Sequence, residues 1–345
     1  MIGWFRRLVL APAVIALTLV IWSTIPLWLV AAAALSPVVP GRLRPLRLLS
    51  LLLMHLTLES LLLVELFGLW LASGFGYFIR RPFFERIHYD LVQAYLVIFF
   101  REARRVARLE IVTEGRPPDA HPGEPLLVCC RHAGPADSFT LMYALMHWYG
   151  REPRVVLKDT LAWDPAIDVI LNRLPNRLIS GKPARGPGLE AQVGQLAANL
   201  DENDAFVIFP EGGNFTPARR LRQIDTLRRL GLEAMARRAE RMENVLAPRP
   251  GGLIAALDAA PDADVLLVAH TGLDHLSGVA DLWRELPMDK QIIMRWWRVP
   301  RGDIPEGRDE RIDWLFSWWE RIDAWIAENR PKDLPPRRRR RQGPG

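Results

Sequence analysis

Two apolar stretches, residues 8–35 and 48–79, fill most of the first eighty positions of this chain. Each exceeds the roughly 20 residues needed to cross the hydrocarbon of a bilayer, so the region is expected to be inserted in a membrane. A cleaved secretory signal would carry an apolar core of about 7–15 residues and a small-residue cleavage site; the first run is longer, and a second follows it. Arginines flank the runs at three places: Arg6 and Arg7; Arg42, Arg44 and Arg47; and Arg80, Arg81 and Arg86. Basic flanks favour the cytoplasmic side. All three can lie there only if each run enters and leaves by one face, as a re-entrant or interfacial hairpin. Ser23-Thr24-Ile25-Pro26 provides a break in the first run. Glu59 and Glu65 in the second are costly in hydrocarbon unless shielded. Two plain spanning helices joined by a short arginine-bearing outer loop are the alternative.

Charge adds little outside the tail. The formal net charge is +6, but positions 337–341 are five consecutive arginines, and 6 minus 5 leaves +1 for everything else. Only Lys158, Lys182, Lys290 and Lys332 are lysines. So general a use of arginine fits a GC-rich genome, and no nucleic-acid partner is inferred from it. Cys129 and Cys130 are adjacent, which gives no disulfide framework, and Cys-Cys-x-His lacks the second pair that a zinc site needs. No metal is expected. The chain divides into membrane-inserted helices (1–84), a connecting amphipathic helix (85–104), an α/β domain (105–332) and a polybasic tail (333–345). The tail could touch anionic lipid at about 1 kcal/mol per basic residue.

From about residue 105, short β-like runs alternate with helical ones, the pattern of an α/β domain. Strands are expected at 109–112, 126–130, 154–157, 177–179, 205–209, 265–269 and 291–296, with helices at 139–148, 188–200 and 218–242. Chemistry in such domains gathers at the carboxyl ends of strands. The strand at 126–130 delivers His132 to a turn, with Asp137 close behind it. The aspartate is explained as an ordinary N-cap. It can also fix the tautomer of the imidazole and stabilise its protonated form, leaving the other ring nitrogen as a general base. A second strand runs into Pro210-Glu211-Gly212-Gly213, with Arg219 and Arg220 at the head of the next helix. A tight turn accounts for the glycines. They also let main-chain N–H groups approach an anion, so a phosphate site is plausible there.

Together the two segments resemble the glycerolipid acyltransferases typified by lysophosphatidic acid acyltransferase. The family's His-x-x-x-x-Asp is matched by His132 and Asp137, and its Phe-Pro-Glu-Gly by Phe209, Pro210, Glu211 and Gly212, with Gly213 where the family has Thr. The second motif, Gly-x-x-Phe-x-x-Arg, aligns with Asn176, Ile179 and Lys182, all substitutions. Lys182 keeps the charge without arginine's bidentate fork, which Arg177 or Arg185 could restore. Asn214 stands where the family commonly has Arg, and the fourth motif's hydrophobic-Pro element appears as Val268-Ala269.

The resemblance covers about residues 105–300 and implies a mixed sheet flanked by helices. It implies that His132 takes the proton of a lysophospholipid hydroxyl as that oxygen attacks an acyl thioester, with Asp137 orienting the ring. Lysophosphatidic acid giving phosphatidic acid is the leading acceptor; another lysophospholipid or a glycolipid is the alternative. Glu211, Gly212, Gly213, Lys182, Arg185, Arg219 and Arg220 would hold the phosphates. The donor would be acyl-coenzyme A or acyl carrier protein, with no cofactor. The enzyme would sit in a bacterial inner or plasma membrane, catalytic domain to the cytoplasm.

Two rival readings are a catalytically silent lipid-binding protein of this fold and a serine hydrolase using Ser138. The second lacks a Gly-x-Ser-x-Gly elbow. His270 and His275 have no ligand cluster around them and are read as structural, with His270 able to line a pocket. Residues 308–329 carry Ile312, Leu315, Phe316, Trp319, Ile322 and Ile326 on one helical face, the pattern of core packing. Trp314, Trp318 and Trp325 widen that stripe enough to suggest a membrane-contacting surface.

Overall fold

Among the described residues, seven strands form one sheet: β1 (Leu109–Glu114), β2 (Leu126–Cys130), β3 (Glu152–Lys158), β4 (Arg177–Ile179), β5 (Asp204–Ile208), β6 (Asp264–Thr271) and β7 (Lys290–Val299). This computed structural model describes residues 2–115, 123–134, 136–158, 163–179, 188–274 and 279–331. The order across the sheet is β1-β7-β6-β2-β5-β3-β4, and all neighbours are parallel except β6 with β7. The sheet is therefore mixed, as expected, and every expected strand is present within a few residues.

Side chains alternate across the sheet. Leu127, Cys129, Phe206, Ile208, Val265 and Leu267 face one layer, packed against the helices Leu189–Ala197, Pro250–Ala259 and Arg308–Asn329. Leu126, Val128, Cys130, Ala205, Val207, Leu266 and Val268 face the other, against Leu141, Ala144 and Leu145. Because helices cover both faces, β2 and β5 are buried along their whole length, and this is why they read as continuous apolar runs.

The expected helix at 218–242 is two helices, Pro217–Arg229 and Glu233–Arg241. Gly231, at φ +73°, breaks the first, a conformation that favours glycine. Three short helices, Pro165–Arg173, Pro250–Ala259 and Val279–Glu285, were not expected. The tryptophans of Arg308–Asn329 turn inward. Trp325 is buried and donates to Glu114 Oε2 at 3.2 Å, and Trp314 and Trp318 pack on the sheet-facing core. Packing on the sheet thus replaces the suggested membrane contact.

The first apolar run breaks where expected, into helices Ala11–Ser23 and Ile25–Leu35, and the second forms one helix, Arg44–Ala72. The runs pair through Thr18 Oγ1, which accepts from Ser60 Oγ at 2.8 Å. Glu59 is shielded: it is buried and accepts from the Ala166 N–H at 3.1 Å. Elsewhere the helices are bare, with Leu27 and Val30 each 68% exposed.

All three arginine flanks reach the α/β domain. Arg6 and Arg7 hold the buried Asp168 at 2.8 and 2.9 Å. Arg44 donates to the carbonyls of Leu286 and Arg284, both at 2.9 Å, Arg47 to that of Val106 at 2.5 Å, and Arg80 to that of Asn172 at 3.5 Å. Asp168 is the anchor of the first flank. Asp168→Ala is expected to lower stability by about 1–3 kcal/mol, since it strands two partly buried guanidiniums. Limited trypsin digestion checks it: cleavage after Arg6 and Arg7 should accelerate, and an unchanged rate counts against the anchor.

Candidate active site

β6, β2 and β5 are adjacent and parallel, so their carboxyl ends open on one edge of the sheet. His132 follows β2, Glu211 follows β5, and His270 is the penultimate residue of β6. Three segments distant in sequence are thereby brought together, at the kind of strand edge where open α/β sheets bind ligands.

Asp137 is buried in the first turn of the helix Ala136–Tyr143. It does not cap that helix. Its Oδ2 accepts instead from the preceding loop, from Ala133 N at 2.5 Å and Gly134 N at 2.6 Å, and so closes the turn that carries His132. The same oxygen lies 3.4 Å from His132 Nδ1 and 3.6 Å from His270 Nε2. Burial works against its charge, but the two histidines and the Gly134 N–H outweigh it and hold the carboxyl below the usual carboxylate range. His132 is 14% exposed, and its ring packs on Phe209 with centroids 4.6 Å apart. With Nδ1 turned to a carboxylate, Nε2 is the nitrogen available to take a proton.

Glu211 is placed differently from the expected phosphate contact. It is 1% exposed, and both oxygens are spent on main chain: Oε1 accepts from His132 N at 3.0 Å and Oε2 from Leu246 N at 2.9 Å. Burial pushes its carboxyl up to about 7, against the opposing pull of Arg131 and the two N–H donors. Phe215 N donates to His132 O at 2.7 Å, so the loop after β5 grips the histidine's backbone from both sides.

The other expected contacts divide. Gly212 is exposed at φ +68°, whereas Gly213 is buried. Arg220 donates to the carbonyls of Met242 and Glu240 at 2.5 and 2.7 Å, where the helix Glu233–Arg241 leaves acceptors without partners. It is a brace, which corrects the expectation for it. Arg219 Nη1 donates to Asn214 O at 2.6 Å. Asn176 Oδ1 accepts from Val155 N at 2.9 Å and steadies β3. Lys182, Arg185 and His275 lie outside the described residues.

Sequence reasoning missed Arg131, which is 1% exposed. It donates to His270 O at 2.6 Å and Asn244 O at 3.0 Å and forms an ion pair with Asp274. His270 Nε2 in turn lies 3.1 Å from Arg131 O. The segment 244–249 was also missed; its only sequence signal is the Pro/Gly cluster at Pro248, Pro250, Gly251 and Gly252.

The family model described as Acyltransferase matches residues 112–268. None of the curated proteins matches the chain. Among solved structures, the crystal structure of PlsC, the 1-acyl-sn-glycerophosphate (LPA) acyltransferase of Thermotoga maritima, is similar at 15% identity and a TM-score of 0.48, covering 83% of this chain and 100% of that one.

The raised carboxyl of Glu211 has a measurable signature. Between the unfolded value of 4.5 and about 7, the folded chain holds a proton at this carboxyl that the unfolded chain has lost, so stability from this group falls as pH rises through that window. Glu211→Gln removes the slope and leaves one N–H without an acceptor. Its unfolding temperature in detergent should lie below that of the wild type, by a margin that narrows from pH 5 to pH 8. A margin that widens with pH would contradict the assignment.

Proposed function

We propose that this chain moves a fatty acyl group from an acyl thioester to the hydroxyl of a lysophospholipid, first of all lysophosphatidic acid to give phosphatidic acid, a reading supported by the match of residues 112–268 to the family model described as Acyltransferase. The observation that carries the reading is His132 with Nδ1 at the Asp137 carboxylate, both set in a turn that Glu211 and Phe215 hold by the backbone. Nε2 of His132 takes the proton of the acceptor hydroxyl as its oxygen attacks the thioester carbon. The C–O bond forms and the C–S bond breaks, and His132 returns the proton to the departing thiolate. Asp137 stabilises the transient imidazolium. Glu211 acts through position alone. The donor is acyl-coenzyme A or acyl carrier protein, and the reaction calls on no metal and no cofactor.

The N-terminal helices deliver this chemistry to its substrate. Two of them are long and apolar enough to cross a membrane. Apolar side chains exposed on this scale mark a lipid-contacting surface. The contacts of all three arginine flanks with the α/β domain support a hairpin that enters and leaves by the cytoplasmic face, with the catalytic edge at the headgroups. Asn214, where the family commonly has arginine, keeps a different lyso acceptor as the second reading.

Acyl transfer from radiolabelled acyl-coenzyme A, and from acyl carrier protein, to a panel of lysophospholipids tests the proposal. Loss of the base is expected to cost His132→Ala roughly 10²–10⁴-fold in turnover. Equal inactivity of wild type and variant across the panel would leave the silent lipid-binding protein standing. For the hairpin, single cysteines at Trp4, Val38 and Tyr77, introduced after Cys129 and Cys130 are replaced by alanine, should react with a membrane-impermeant thiol reagent from the cytoplasmic side alone. Labelling of position 38 from the opposite side would establish spanning helices instead.

A further inference from the structure

We propose that Arg249 is the residue that takes the phosphate of a substrate at this site, an assignment that rests on the acyltransfer reading above. Arg249 stands at the head of the helix Pro250–Ala259, and its main-chain N–H donates to Pro210 O at 2.8 Å, which ties it to the loop after β5. Three residues before it, Leu246 N bonds Glu211 Oε2, whose partner oxygen holds His132 N. The base of Arg249 is therefore fixed to the frame that fixes the histidine.

Its side chain lies across Gly212. A Cβ at Gly212 would fall 3.2 Å from both Cζ and Nε of Arg249, so the guanidinium covers the main chain one residue beyond Glu211. Position 212 needs glycine twice over, for its φ of +68° and for this close approach. Arg249 is exposed, and among the described residues no carbonyl or carboxylate holds its guanidinium. Of the described arginines around the site, Arg131 is committed to His270, Asn244 and Asp274, Arg219 to Asn214, and Arg220 to Met242 and Glu240. The carboxylate of Glu190 lies against Gly251, and no ion pair joins it to Arg249.

An exposed planar fork over the loop that carries Glu211, with no acceptor on its donors among the described residues, suits two phosphate oxygens. The chain has asparagine at 214, and Arg249 supplies the positive charge from a different segment. The same chemistry is presented by two substrates, the phosphomonoester of lysophosphatidic acid and the phosphates of acyl-coenzyme A.

The test uses the full-length chain in detergent, as wild type, Arg249→Gln and Arg249→Lys. Binding of lysophosphatidic acid in mixed micelles and of coenzyme A is measured by calorimetry, which needs no turnover, and KM and kcat are measured for each substrate in parallel. Arg249→Gln is expected to weaken one of the two ligands about 10-fold or more, with KM moving more than kcat and Arg249→Lys recovering part of the loss. Weakened lysophosphatidic acid binding identifies the acceptor as the source; weakened coenzyme A binding identifies the donor. The unfolding temperature should not change, because the guanidinium is exposed and braces nothing. Wild-type affinity for both ligands in both variants overturns the proposal, as does the absence of binding by the wild type. Weakened binding without turnover in any protein would keep Arg249 as the anion contact and reject the acyltransfer reading.

Discussion

The carboxylate of Glu211 sits beneath the His132 turn with each oxygen on a main-chain N–H, one from His132 and one from Leu246. A charge without solvent is costly unless its oxygens are bonded and opposite charge is near. Here two N–H donors and the buried Arg131 offset the cost in part, and the carboxyl still ends near neutrality. The return is geometric. One side chain locks the end of β2, the loop after β5 and the segment before Pro250–Ala259 into a single frame, and every group of the site is referred to it.

Arginine carries much of the remaining order. A guanidinium offers five donors in a plane and is well suited to gathering carbonyls that helix ends and turns leave open. Arg131, Arg219 and Arg220 do this around the site, and Arg44 and Arg47 do it at the start of the helix Arg44–Ala72. A basic residue near the loop at 210–213 is thus no guide to ligand contact in this chain. What separates Arg249 from these arginines is that no carbonyl or carboxylate among the described residues takes its donors. The same economy of arginine ties both apolar runs to the domain, so that the apolar helices and the sheet share one framework.

Much of the fold was legible in the sequence. The central strands are buried on both faces and so appear as apolar runs bounded by turn residues, and β2 and β4 were read to the residue. The short helices Pro165–Arg173 and Pro250–Ala259 escaped because nine or ten residues hold too few turns for a 3.6-residue period to separate from an apolar run. The break at Gly231 was missed because the arginines on either side continue a helical pattern, and only the left-handed φ of the glycine ends it.

The histidine and its aspartate were visible because their relation is local: a strand end, a turn of five residues and the helix that follows lie in one stretch of chain. The sequence by itself determined that pairing, the α/β alternation and the apolar character of the first eighty residues, since each depends on neighbours in the chain. Tertiary structure alone decided what Glu211, Arg220 and Arg131 hold and where Arg249 lies. A carboxylate or a guanidinium is bonded by whatever donors and acceptors the fold brings to it: for Glu211, Arg220 and Arg131 those belong to Leu246, Met242 and His270, on segments remote from each in the chain, whereas Arg249 is laid over Gly212 with no acceptor among the described residues.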